Sequence, residues 1–158
     1  MKEITIAIPH HQTLRLRHIV LDYNGTLAKD GELKTEAKPL LKSLTDIYNV
    51  HVITSDTFGT VQTQLEGLDI TVKVLHSDNH TEEKARYVNE LTADLCAAVG
   101  NGNNDAKMLK EAALSVALMG DEGCSTQTLM NSDIVCKSIK DALELLLSEK
   151  RLIATLRR

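Results

Sequence analysis

The chain has 158 residues, 42% of them apolar and 25% charged, the length and balance of one globular domain that buries a core without staples. Eighteen basic residues against 22 acidic ones leave a net charge of -4, which excludes the overall basic footprint of a nucleic-acid binder. No Trp, one Phe and three Tyr leave no stacking platform for single strands and no aromatic girdle for a membrane.

In chain order, Ile4 to Ile8 alternates and ends at Pro9, which predicts an edge strand. Leu14 to Arg17 continues extended, and His18 to Leu21 is a short apolar run ending at Asp22. Leu27 to Leu33, centred on Asp30-Gly31, reads as a hairpin. Thr35 to Ile47 carries Ala37, Leu40, Leu41 and Leu44 at helical spacing. Val50 to Thr54 reads as a strand, Gly59 to Leu68 as a short helix, and Thr71 to Leu75 as a strand. Thr81 is the expected cap of a helix running to Leu91. Ala93 to Val99 reads as a buried strand, and Asn103 or Asn104 as the cap of a helix to Ala113. Leu114 to Met119 and Ile134 to Cys136 are further strands, and Ser138 to Leu147 a Leu-rich helix. Residues 149–158 read as a basic tail, with Lys150, Arg151, Arg157 and Arg158 favouring a helix end. The alternation predicts an α/β domain over residues 1–158, residues 1–17 being extended: three Rossmann-like layers, with a parallel sheet between helices.

Cys96, Cys124 and Cys136 form no CxxC pair, so neither a disulfide framework nor a zinc site is expected. The expected setting is the reducing cytoplasm. The first nine residues carry no long apolar stretch, so no signal peptide is expected, and no run reaches the ~18 apolar residues of a membrane span. The histidines offer no ligand pair at helical spacing.

Sheets of this kind place their chemistry at the carboxyl ends of strands. The first core strand ends in Asp22-Tyr23-Asn24-Gly25-Thr26, the next in Thr54-Ser55-Asp56, and a later one in Gly100-Asn101-Gly102-Asn103-Asn104-Asp105. Lys84 lies early in the helix between the third and fourth of these strands. A carboxylate on a Gly-Thr turn can attack phosphorus, and backbone N–H groups can hold the phosphoryl oxygens. A second carboxylate can join it in binding Mg²⁺, while Thr54 and Lys84 steady the transferred group. Taken singly, Asp22 is a turn residue and Lys84 a solvated one; the four in this order favour chemistry. Tyr23 reads equally as a gate or as packing, and Asp56 as a helix cap.

Asp22-Tyr23-Asn24-Gly25-Thr26-Leu27 resembles the first motif, Asp-x-Asp-Gly-Thr-Leu, of the haloacid-dehalogenase-like (HAD) phosphotransferase superfamily. Thr54 is similar to its second motif, Lys84 to its third, and Gly100 to Asp105 to its fourth. That last stretch, with Ala112 to Ala117, is most similar to the phosphorylation domain of P-type ATPases. The resemblance implies a Mg²⁺-dependent phosphatase with Asp22 as nucleophile. It assigns phosphate contacts to Gly25, Thr26, Thr54, Ser55 and Lys84, and metal contacts to Asp22, Asn24, Asn101 and Asp105.

Two residues depart from the family. Asn24 replaces the Asp that serves phosphatases as general acid and base, and an amide can do neither. P-type ATPases carry Thr there and keep a long-lived aspartyl-phosphate. Asn101 replaces an Asp and removes one charge from the metal site. Asp22 and Thr54 lie 32 positions apart, and Thr54 and Lys84 lie 30 apart, so neither usual insertion point has room for a cap. The implied partner is a phosphorylated substrate, small or macromolecular; capless members either take large or macromolecular substrates or cover the site with a neighbouring subunit, and both readings stay open. The rival expectations are a catalytically weak or silent scaffold and a phospho-acceptor module.

Overall fold

Short apolar strands alternating with amphipathic helices bury both sheet faces most simply as a parallel sheet between two helical layers. The computed structural model, which describes residues 2–158, has that architecture. Its elements are β1 (Ile4–Ala7), β2 (Thr13–Leu16), β3 (His18–Asp22), β4 (Ala28–Lys29), β5 (Glu32–Leu33), α1 (Ala37–Thr45) and β6 (Asn49–Thr54). There follow α2 (Thr60–Gln64), β7 (Ile70–Val74), α3 (His80–Glu90), β8 (Cys96–Gly100), α4 (Ala106–Glu111) and β9 (Leu114–Leu118). The chain closes with α5 (Thr126–Met130), β10 (Ile134–Cys136), α6 (Ile139–Leu146) and α7 (Glu149–Leu156).

The main sheet has the order β10-β9-β8-β3-β6-β7, parallel throughout. The chain runs outward from β3 through β6 to β7, then returns to the other side of β3 for β8, β9 and β10. The order reverses between β3 and β8, and such a switch opens a crevice at the carboxyl ends. Asp22 ends β3, Thr54 ends β6 and Gly100 ends β8, so the topology gathers all three there.

Alternation along β3 divides the core. Ile19 and Leu21 face the layer of α1 and α6, with Leu41, Leu44 and Leu143. Val20 faces the opposite layer, with Val88, Met108 and Leu109. Tyr23 belongs to the first layer: it is 1% exposed, and its hydroxyl donates to the Gly31 carbonyl at 3.0 Å. Its role is packing, and it braces the β4–β5 hairpin. Asp30 and Gly31 in that hairpin have φ of 52° and 84°, the paired positive values of a tight Asp-Gly turn.

Several boundaries differ from the sequence reading. Asn79, not Thr81, caps α3, its side chain accepting from the Glu82 N–H at 3.2 Å. Neither Asn103 nor Asn104 is a cap; Asn103–Asp105 forms a 3-10 turn leading into α4. Ala93–Leu95 is also a 3-10 turn, and the strand starts at Cys96. Outside the main sheet, β1 pairs antiparallel with β2, with Ile4 opposite Leu16, and is an edge strand as its alternation and Pro9 predict. Residues 149–156 of the expected tail form α7, which seats Leu152 in the core. No helix among the described residues is long and apolar enough to cross a membrane.

One buried polar chain links neighbouring elements. His18 Nδ1 lies 3.0 Å from His51 Nε2, and His51 Nδ1 lies 2.7 Å from the Tyr87 hydroxyl. Burial, with a smaller contribution from His18, pulls His51 down from 6.5 to about 4. Between those values the unfolded chain takes up a proton that the folded chain refuses. The His51 contribution to stability is therefore expected to be lost as pH drops from 6.5 to about 4. His51→Gln should therefore gain on the wild type by several degrees in melting temperature as pH is lowered across that window. A difference between the two proteins that does not change with pH contradicts this reading.

Candidate active site

Asp22 is set by the end of β3 and by the turn after it. The Tyr23 carbonyl accepts from the N–H groups of Thr26, Leu27 and Ala28 at 3.2, 2.9 and 3.0 Å. The Gly25 N–H donates to the Ala28 carbonyl at 3.1 Å. The N–H groups of Gly25 and Thr26, expected to face a phosphate, are thus engaged inside the loop. Those of Asn24 and Ser55 have no acceptor among the described residues. Gly25 serves by shape: its φ is 78°, and a Cβ there would fall 2.9 Å from Asn101 Nδ2 and 3.0 Å from Glu122 Oε2.

Lys84 stands at the centre. It is 3% exposed, and its ammonium donates to Asp22 Oδ1 at 2.9 Å, Asp105 Oδ1 at 2.8 Å and Asn104 Oδ1 at 2.9 Å. Burial pulls its pKa down, but the charges of Asp22 and Asp105 outweigh burial and leave it raised. Burial and then the Asp105 charge push Asp22 up, to about 7, against the pull of Lys84.

Asp105 is fully buried and fully bonded. Its Oδ1 faces Lys84, while its Oδ2 accepts from the Asn101 and Gly102 N–H groups at 3.0 and 3.1 Å. Gly100 must lack a side chain because a Cβ would land on the Asp105 carboxyl. Asn101 directs its amide oxygen to the Thr26 hydroxyl at 3.3 Å and its Nδ2 to the Gly123 carbonyl at 3.2 Å.

These residues enclose a cleft of about 200 Å³. Asp22, Asn24, Thr54, Ser55, Lys84 and Asn101 all line it, while Thr26 sits behind, bridging Asp22 and Asn101. The Thr26 hydroxyl lies 3.3 Å from both Asp22 Oδ2 and Asn101 Oδ1 and has one proton to give. One of those oxygens therefore always lacks that donor. The Asn24 carbonyl accepts from no backbone N–H among the described residues. These three oxygens are a hard donor set that suits Mg²⁺, a cation that keeps waters and needs one or two carboxylates. Asp105, expected as a further ligand, accepts three hydrogen bonds, one on Oδ1 and two on Oδ2.

Besides Leu75, two lining residues, both polar, have no counterpart in the sequence motifs. His80 opens α3, and Glu122 sits in the turn closed by Gly120 and Gly123. That turn is held by the ion pair between Lys34 and Asp121 at 2.6 Å. Asp56 faces away as a cap, accepting from the N–H groups of Phe58 and Val61 at 2.9 and 3.2 Å. Cys96 is buried, and burial pushes its thiol up to about 12, which makes it inert.

No family model matches the chain. It is 57% identical over 60 residues to an uncharacterized protein of Methanocaldococcus jannaschii, a match covering 38% of this chain and 64% of that relative. The solved 3-deoxy-D-manno-octulosonate 8-phosphate phosphatase of Moraxella catarrhalis superposes with a TM-score of 0.70 at 19% identity, over 90% of this chain and 94% of that one. That structure holds magnesium, phosphate and the sugar acid. A subfamily III A HAD hydrolase of Legionella pneumophila gives 0.69 at 17% identity, over 88% and 87%. A phosphoserine phosphatase gives 0.63 at 17% identity, over 84% and 98%. At these identities the likeness establishes the fold, which is HAD-like and without an obvious cap.

Proposed function

We propose that this cleft hydrolyses phosphate monoesters through a covalent phosphate on Asp22, with Mg²⁺ as cofactor. The observation that carries the reading is the junction of Asp22 with Lys84 at 2.9 Å, beneath the unpartnered N–H groups of Asn24 and Ser55. An Asp22 oxygen attacks phosphorus and the bond to the ester oxygen breaks. Water then attacks the same phosphorus, the bond to Asp22 breaks, and inorganic phosphate leaves with the carboxylate restored. The Asn24 and Ser55 N–H groups and the Thr54 hydroxyl hold the phosphoryl oxygens, and Lys84 offsets their charge. Bound Mg²⁺, held by Asp22, the Asn24 carbonyl and Asn101, would neutralise phosphate charge. Asp105 acts from behind, fixing Lys84 and the Asn101–Gly102 backbone.

The neighbours named as phosphatases of small monoesters support this chemistry, and the one solved with magnesium and phosphate supports the cofactor. The open rim suits a large substrate or a second copy of the chain as cover. The three free cysteines, two of them buried, suit a reducing compartment. Asn24 favours a second reading, a phospho-acceptor whose aspartyl-phosphate persists, in keeping with the resemblance to P-type ATPases. Acetyl phosphate and a panel of esters, with and without Mg²⁺, separate the two by following phosphate release and protein labelling together. Mg²⁺-dependent release supports the hydrolase, label that accumulates supports the acceptor, and neither label nor release overturns both. Asn24→Asp is expected to speed phosphate release by about tenfold or more, because it restores a proton carrier in the cleft. An unchanged or lower rate contradicts that role for position 24.

A further inference from the structure

We propose that His80 is the general acid and base of this cleft, in the role for which Asn24 has no transferable proton. The inference rests on the phosphohydrolase reading of the same cleft.

The cleft has a buried floor of Asp22, Thr54, Lys84 and Asn101. Its more open rim includes Asn24, His80 and Glu122. A carboxylate that attacks phosphorus from the floor expels the leaving oxygen in line, toward the rim. The proton for that oxygen must therefore come from the rim. Lys84 is on the floor with its ammonium held by three acceptors. On the rim only His80 and Glu122 titrate.

The fold sends these two in from opposite sides. Glu122 follows β9, His80 follows β7, and β3 with Asp22 lies between them in the sheet. Glu122 is on the flank of the metal donors, since its carboxylate and the Asn101 amide crowd the same point above Gly25. His80 is on the flank of Lys84, one turn earlier on the same face of α3. Its ring has no hydrogen-bond partner among the described residues. The start of α3 is braced beneath it. Asn79 caps the Glu82 N–H, and Glu83 accepts from the N–H groups of His76 and Ser77 at 3.0 and 2.8 Å. The charged groups that line the cleft together with the imidazole are Asp22 from β3, Lys84 on the next turn of α3, and Glu122 from the turn after β9. Glu82 and Glu83 follow it on its own helix.

The proton balance closes on this ring. Imidazolium gives its proton to the departing ester oxygen as the phosphorus–oxygen bond breaks. The neutral ring then takes a proton from the water that attacks phospho-Asp22, which restores the imidazolium. Imidazole is the side chain whose ordinary titration range suits both transfers near neutrality.

The test is kcat/KM, which reports the first transfer, for ethyl phosphate and for 4-nitrophenyl phosphate across pH. An alkoxide needs the proton and a nitrophenolate does not. His80→Gln is expected to lower the value for ethyl phosphate by about 10²-fold or more, with a far smaller change for 4-nitrophenyl phosphate. The wild-type value for ethyl phosphate should fall as pH rises through the imidazole range, and the variant should lose that limb. Partial unfolding would lower both substrates equally, so the ratio isolates the proton transfer. Equal losses on the two esters, or a limb that survives in His80→Gln, overturn the assignment while leaving the phosphohydrolase reading intact. Wild-type protein that turns over neither ester overturns both.

Discussion

Lys84→Met is expected to lower the unfolding free energy by about 3–5 kcal/mol, because it strands two buried carboxylates. For a chain of this length that corresponds to a melting temperature lower by roughly 10 °C. Met keeps the volume and the apolar stem, so the loss measures charge rather than packing. In the wild type one ammonium serves Asp22 and Asp105, which are 8% and 0% exposed. Without it, the two carboxyls stay charged only at the expense of the fold. The Asp22 carboxyl, already raised, is then expected to titrate higher still, so the deficit against wild type should shrink as pH is lowered and that charge is removed. Adding Asp22→Asn to Lys84→Met should recover part of the loss, since one stranded charge is removed. A deficit below about 1 kcal/mol, or one that does not change with pH, would sink the account of Lys84 as the charge on which the site is built.

Lys84 also marks the limit of what could be read from the chain alone. Its place in the family motif is visible in the sequence, yet by itself it reads as a solvated helix residue. In the fold it is buried, with Asp22, Asn104 and Asp105 around its ammonium. The strands were legible because β3 and β8 are buried on both faces and therefore run apolar without interruption. Their last residues carry the chemistry, so Asp22, Thr54 and the Gly100 loop were legible with them. α5 escaped notice because Ser125 to Thr128 is polar and shows no apolar period, while the Ser125 hydroxyl that caps it gives only a local signal. Asn79 and Thr81 are both cap candidates in a polar run, and the backbone decides between them in favour of Asn79. The inward turn of the Gly25 and Thr26 N–H groups depends on which carbonyls the loop closes upon, which composition does not encode. His80 and Glu122 lie on connections that meet only through the sheet order. The His18–His51 contact was within reach: on adjacent parallel strands the register sets Val20 beside His51, two residues beyond His18.

Asp22→Asn is expected to abolish turnover and at the same time make the protein more stable at alkaline pH. The loss of activity should reach several orders of magnitude, on the order of 10⁶ by the measure of other covalent nucleophiles. The gain in stability follows from charge. Asp22, Asp105 and Lys84 together carry one uncompensated negative charge in a site with little water. Burial first, then Asp105, raises the Asp22 carboxyl from 3.8 to about 7. A folded-state value above the unfolded one means that the folded protein holds the proton more tightly. The Asp22 contribution to stability therefore declines as pH rises from 3.8 through about 7, and the full penalty is present above that. Asn keeps the oxygen that Lys84 donates to and removes the charge, which leaves Lys84 and Asp105 as a neutral pair. At pH 8 the variant should gain on the order of 2 kcal/mol, or a few degrees in melting temperature. Below about pH 3.8 Asp22 is protonated in the folded and the unfolded chain alike, so the penalty is gone and the two proteins should melt together. A variant that is less stable at pH 8 would mean that the bond from Lys84 outweighs the buried charge. The nucleophile would then stabilise the fold rather than strain it.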